Sequence, residues 1–200
     1  QQRRHVVNGL LQVSDDWLEA NGHSKSEWFP SVINALTYQG KMYGLPKSAS
    51  PSQCFLFCNQ DMFEAEKVPL PPKHGATFEQ VVEWADKVTK GAEDMREVFG
   101  FSPSVSSLLD THNWVRAFGS FGLNEEGTAI SDGPEWLEAL KYVDAFFLKK
   151  QVPSAENLPS GGRRALFAAG KLGIIHGGRW EWKGIRAAVE AAEKPFKWDV

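Results

Sequence analysis

The sequence predicts an α/β fold, and three observations carry that prediction. Short apolar runs, CFLFCN at 54–59 and LGIIH at 172–176, read as strands buried on both faces. Amphipathic patterns of helical period stand between and after them. Composition is that of an ordinary globular domain: 42% of the 200 residues are hydrophobic and 24% charged, far from disordered or fibrous extremes. Strands alternating with helices imply a layered α/β lobe.

Taken in order, Ser14 opens SDDWLEANG, a short helix with Asp15 and Asp16 in its first turn, where they complement the helix dipole, and Gly22 near its end. A second helix is expected over 26–36. Gly40 then turns the chain, KMYGL reads as a short strand, and Pro46 opens the polar loop KSASPSQ at 47–53, the expected boundary between lobes. The strand at 54–59 runs into QDMFEAEKV, an amphipathic turn or two, and then the breaker VPLPP. Thr77 and Gln80 fit a capping box, and Phe78, Val81, Val82, Ala85 and Val88 form one helical stripe that stops at Gly91. A strand at VFGFS precedes LLDTHNWVRAFGSFG, helical until Gly119. Pro134 suits a first helical position, with Trp136, Leu140, Val143 and Phe147 as the core stripe and an end near Gln151. GGRRALFAAGK gives a short helix stopping at Gly170, LGIIH a buried strand, and RWEWKGIRAAVEAAEK an alanine-rich helix.

Charge excludes one class of partner. Twenty-two Lys plus Arg against 25 Asp plus Glu leave a net charge of -3, with the basic residues scattered, so nucleic acid is not the expected ligand. No stretch approaches the roughly 18 consecutive apolar residues of a membrane span, and no charged segment followed by an apolar one marks an export signal. On one strand Cys54 and Cys58 would stand about 13 Å apart, beyond the roughly 7 Å a disulfide tolerates, so two buried thiols are expected. His5, His23, His74, His112 and His176 show no metal-ligand spacing, and no P-loop or G-x-S-x-G appears, so neither metal nor cofactor is expected. Asp15 with Asp16, and Glu125 with Glu126, are adjacent pairs that read as solvated caps. GGRR at 161–164 precedes a helix and has the chemistry to hold an anion, although a basic helix start more often faces solvent.

The succession YGLP at 43–46, an SPS-bearing loop, and an apolar strand ending in Asn59 with Asp61 and Phe63 resembles one family. It is similar to the extracellular solute-binding proteins of ABC importers, in the sugar-binding group that includes maltose-binding protein. The matching residues are Gly40, Lys41, Tyr43, Gly44, Leu45 and Pro46, then Leu56, Asn59, Asp61 and Phe63. The likeness continues through Thr77, Phe78 and Glu79, FGSFG, SDGPEWLEAL and FAAGKLGIIHGGRW, with Phe78 in place of the family's usual Trp and Cys58 in place of its Tyr. The resemblance implies a periplasmic-binding-protein-like two-lobe fold in which a hinge closes over a solute held at the interlobe cleft. Members of that family are longer, so it further implies an incomplete fold. Residues 1–52 would be the C-terminal part of lobe one with the crossing loop, and 53–200 most of lobe two. It also implies a monomeric carrier outside the cytoplasm, periplasmic or lipid-anchored, that captures a carbohydrate and hands it to a membrane permease without turning it over.

Trp180 follows Gly178 and Arg179 at the end of a strand, the usual ligand edge of an α/β sheet. In sugar binders an aromatic here stacks on the pyranose face, whose C–H bonds meet the negative π-cloud. Trp182 is evenly balanced between contact and packing. Trp114 stands at the spacing where the family carries an aromatic, with Asn113 and His112 beside it, and a core role competes. Ser50 and Ser52 lie in the crossing loop, where ligand hydrogen bonding and ordinary turn chemistry are both open. The competing reading is a carbohydrate-active enzyme using the same Trp-rich cleft, with Asp110 and Glu181 as acid and base.

Overall fold

The computed structural model describes residues 2–47, 55–93, 95–104, 108–120, 133–149 and 151–200, with backbone alone at 2, 108–112, 147 and 148. The chain divides into two compact units, Gln1–Ser50 and Pro51–Val200. Among the described residues no helix is long and apolar enough to cross a membrane.

In the first unit, helices α1 (Gln2–Val7), α2 (Asp15–Ala20) and α3 (Pro30–Leu36) accompany a hairpin of β1 (Thr37–Tyr38) and β2 (Lys41–Met42). Gln39 and Gly40 take φ of 49° and 78°, the positive pair whose twist suits a two-residue hairpin turn. Ser14 does not cap α2: its hydroxyl accepts from the Gly44 amide at 2.9 Å, while Asp15 accepts from the Met42 amide at 2.7 Å. The start of α2 therefore fastens the hairpin instead of closing its own first turn. The single helix predicted over 26–36 is two pieces. A capping box between Ser24 and Glu27 closes a short 3-10 turn at Lys25–Glu27, Trp28 is extended, and Pro30 begins α3. A helix running through Pro30 would lose a hydrogen bond and meet the ring. No residue of α3 is buried, and Phe29 before it is exposed.

The second unit runs β3 (Phe55–Asn59), α4 (Gln60–Ala65), α5 (Phe78–Val88), β4 (Phe99–Ser102), α6 (Leu108–Ala117), α7 (Pro134–Leu148), α8 (Gly162–Ala168), β5 (Leu172–Gly177), α9 (Glu181–Glu190) and β6 (Trp198–Asp199). The sheet order is β4-β5-β3-β6, with β4 parallel to β5 and β3 antiparallel to both β5 and β6. The sheet's side chains divide between two cores, with adjacent residues parting at Phe57 and Cys58 of β3 and at Ile174 and Ile175 of β5. On one face Phe57, Phe99, Leu172 and Ile175 pack with Leu166 and Phe167 of α8 and Ile185 and Val189 of α9. On the other, Cys58, Phe101 and Ile174 pack with Val81, Trp84, Ala85 and Val88 of α5, Trp114 and Val115 of α6, and Ala139 and Phe146 of α7. Each large apolar side chain fully buried this way contributes about 1.5–3 kcal/mol.

Several local predictions need correction. Helix α5 starts on the expected capping box, with Gln80 N–H donating to Thr77 Oγ1 at 3.3 Å and Thr77 N–H to Gln80 Oε1 at 2.9 Å. It ends at Val88, short of Gly91, where Thr89 turns extended and donates its hydroxyl to the Ala85 carbonyl at 2.6 Å. On α7 the buried positions are Ala139 and Phe146, while Leu140 is exposed and the Phe147 side chain lies outside the described residues. The strand β6 goes unpredicted because two residues leave no periodicity. Asn59, part of the family-like motif, is a buried cap that accepts from the Met62 amide at 3.0 Å, and Phe63 is core. Cys58 is a free, buried thiol that burial, helped by the Asp199 charge, pushes up to about 12. Cys54 lies outside the described residues.

Helix α5 meets the sheet at two glycines. A Cβ on Gly100 would stand 2.0 Å from the Ala85 carbonyl oxygen, and one on Gly173 would stand 2.6 Å from Val88 Cγ2. The neighbour at Gly100 is backbone, so relief requires moving a whole helix. Gly100→Ala is expected to destabilise the chain by about 3 kcal/mol, the upper end of overpacking costs, with a matching fall in the urea midpoint. An unchanged midpoint would show that α5 does not rest on β4 this closely.

Candidate functional site

All six residues of β5 are buried, as is Gly178 after it; Arg179 and Trp180 are the first exposed residues of the exit. Trp180 occupies the N-cap position of α9 without a side-chain cap, and the Glu181 amide donates to the Gly178 carbonyl at 2.9 Å to close the turn. The indole is 55% exposed and folds back over Gly178, where an added Cβ would lie 2.2 Å from its Cη2. Glycine at 178 is what gives the ring its seat. Trp182 is 44% exposed and meets Trp198 of β6 edge-on at 5.0 Å. Trp198 in turn leans on Phe57 at 6.2 Å, so Trp182 is anchored by packing.

Between the two tryptophans sits Glu181, only 4% exposed. Arg163 Nη2 donates to its Oε1 at 2.7 Å and Arg164 Nε to its Oε2 at 2.5 Å. Arg163 Nη1 also donates to the His176 carbonyl at 3.0 Å. Burial pushes the Glu181 carboxyl up, but the hydrogen bonds and charges of Arg164 and Arg163 outweigh it and hold the group below the usual carboxylate range. The expectation that GGRR faces solvent is corrected for Arg163, which turns inward on the carboxylate, whereas Arg164 reaches the same carboxylate with its side chain still 45% exposed. An acid kept ionised between two guanidinium groups has no proton to give, so Glu181 does not suit the acid role in a glycosidase pair. The Asp110 side chain lies outside the described residues.

Trp114 occupies different ground. It is 7% exposed, its Nε1 donates to the Ser104 carbonyl at 2.9 Å, and its ring lies 4.5 Å from that of His176. With Asn113, His176, Tyr142, Phe55 and Phe78 it lines a cavity of about 1080 Å³ on the α5, α6 and α7 side of the sheet. Tyr142 donates to the Phe78 carbonyl at 3.3 Å, and burial, with the Glu79 charge, raises its phenol further above its ordinary value. The structure thus separates the sequence candidates. Gly178, Arg179, Trp180 and Trp182 gather at the exit of β5, while Asn113 and Trp114 share the cavity with His176. Ser50, Ser52 and the His112 side chain lie outside the described residues. Sequence reading weighed His176 only as a metal ligand; alternation from Ile174 puts it on the face that meets Trp114. Among the described residues no three His, Cys, Asp or Glu side chains gather as a metal set.

A layered α/β unit with a largely apolar cavity against its sheet fits the class of small-solute binding folds. Comparison with known proteins makes the class specific: bacterial extracellular solute-binding proteins match over residues 3–200, and the chain belongs to that family. It is 26% identical over 175 residues to a Brucella abortus (strain 2308) protein named as a binding protein, a match covering 85% of this chain and 40% of that one. A Listeria monocytogenes ABC substrate-binding protein in complex with cycloalternan is similar with a TM-score of 0.82 at 25% identity, over 100% of this chain and 49% of that chain. A Thermotoga lettingae ABC transporter solute-binding protein bound with α-D-tagatose is similar with a TM-score of 0.71 at 25% identity, over 96% and 51%. The chain therefore spans about half the length, or less, of these relatives, and its fold is the corresponding part of a periplasmic-binding-protein-like fold.

The Glu181 cluster makes a pH-dependent contribution to stability. Its folded carboxyl titrates below the unfolded value of about 4.3, so the contribution is complete above that pH and lost as pH falls through the folded value. Glu181→Gln is expected to lower stability at pH 7 by about 2–3 kcal/mol. Urea titrations from pH 7 to about 3 should show the gap between wild type and variant closing below about pH 4. A gap independent of pH would mean that the carboxylate is not the stabilising species.

Proposed function

We propose that this chain is part of the solute-binding component of an ABC importer, which captures a carbohydrate outside the cytoplasm and delivers it to a membrane permease without chemical turnover. Trp180 carries the reading: a large aromatic face held in solvent at the end of a buried strand, flanked by Arg179 as hydrogen-bond donor and Trp182 as a second ring. Such a face suits the C–H surface of a pyranose, and a planar guanidinium suits its hydroxyls. The Listeria and Thermotoga relatives are described in complex with cycloalternan and α-D-tagatose, both carbohydrates. Residues 1–52 are read as the end of lobe one with the crossing loop, and 53–200 as most of lobe two. Ser50 and Ser52 then have hydroxyls in the crossing, and Asn113 with Trp114 serves the wall of the lobe behind the ligand edge.

Trp180→Ala separates binding from folding. Loss of a stacking surface at a hot spot costs on the order of 2 kcal/mol, so affinity in the full-length protein should fall at least about 30-fold. An exposed ring leaves no closed cavity, so the urea midpoint should move little, whereas a core tryptophan would cost roughly 3–5 kcal/mol. Calorimetric titration with cycloalternan and D-tagatose reads the first quantity and a urea melt the second. Unchanged affinity for a carbohydrate that binds the wild type would remove Trp180 from the site.

A further inference from the structure

One guanidinium grips both ends of the segment that carries Trp180. Arg163 donates through Nη1 to the carbonyl of His176, before the exit from β5, and through Nη2 to Glu181, at the first turn of α9. Arg164 holds the second oxygen of the same carboxylate. Three glycines clear the space. A Cβ on Gly177 would lie 2.8 Å from Glu181 Cγ, one on Gly184 would lie 3.0 Å from Arg164 Nη1, and one on Gly178 would enter the Trp180 ring. The backbone between 176 and 181 is thus bracketed by ion pairs to a buried carboxylate, and the side chains it sends outward are Arg179 and an indole seated on its own chain.

We propose that Arg163 and Glu181, neither of which touches the solute, are positioning residues that hold Trp180 as a preformed stacking surface. This rests on reading Trp180 as a carbohydrate contact. A ring already immobile in the free protein loses little freedom on binding, so the clamp acts on affinity through preorganisation. Arg163→Lys keeps the charge and the stem but cannot fork between the His176 carbonyl and Glu181. The variant therefore loosens the bracket while leaving Arg164 on the carboxylate.

The test uses full-length protein labelled with 5-fluorotryptophan, followed by fluorine NMR, with the Trp180, Trp84 and Trp114 lines assigned from single Trp→Phe variants. In Arg163→Lys the Trp180 line should shift toward that of free 5-fluorotryptophan and narrow, while the Trp84 and Trp114 lines stay in place. Affinity for whichever of cycloalternan and D-tagatose binds the wild type should fall by about tenfold. A general structural defect would move all three lines, and that result overturns the proposal, as does a Trp180 line that does not move. A shifted line with unchanged affinity overturns it too, because the pose would then not serve capture. A wild type that binds neither sugar defeats the underlying carbohydrate reading, while the Trp180 line still decides whether the clamp holds the ring.

Discussion

A carboxylate withdrawn from water costs several kcal/mol unless its charge and lone pairs are matched. Glu181 is buried at the start of α9, and the chain matches it with two arginines from successive positions of α8. That constraint organises its surroundings. Gly177 and Gly184 make room for the ion cluster, and Gly178 makes room for the neighbouring indole. Helices α8 and α9 are brought together at their N-terminal ends, above the core that Phe167, Ile185 and Val189 fill beneath the sheet. The end of β5 is fixed through its His176 carbonyl. A carboxylate in such a place is costly to break and adds little that apolar packing could not supply, so its value lies in geometry: it fixes where Trp180 stands.

The opposite face of the sheet follows a different logic. There α5 approaches closely enough that Gly100 and Gly173 have no space for a Cβ, and an aromatic cluster of Phe78, Trp114, Tyr142, Phe101 and Phe146 fills the layer between sheet and helices. Trp114 belongs to that layer, with its N–H already donated to Ser104. One face of the second unit is thus an aromatic core with a cavity in it, and the other braces the exit of β5. Two exposed tryptophans and the exposed Arg179 meet at that exit, and the carbohydrate reading rests there.

How much of this was legible in the sequence varies with the range of the interaction. The α5 helix was legible because Thr77 and Gln80 announce its start locally, and β5 because its apolar run is bounded by Gly170 and by Gly177 with Gly178. Trp180 was legible because the glycines precede it directly. The Glu181 cluster was not: its partners lie 17 and 18 residues away on another helix, and no local pattern distinguishes an inward arginine from a solvated one. On α7 hydrophobicity placed Trp136 and Val143 against the core but favoured the exposed Leu140 over the small Ala139 that close packing uses. The two-residue strands β1 and β6 carry no period to detect, whereas β2 falls at the start of the strand read at KMYGL. Trp114 shows a further limit, because a helical stripe does not reveal whether an aromatic ring faces a core, a cavity or a solute.

The most direct measurement is a crystal structure of the full-length protein with an oligosaccharide bound. The account predicts a sugar ring lying parallel to the Trp180 indole, with carbons about 4 Å from its ring atoms. Arg163 and Glu181 should remain paired behind it, as they are in the free chain. A solute bound elsewhere, with the Trp180 indole covered by protein instead of sugar, would contradict it.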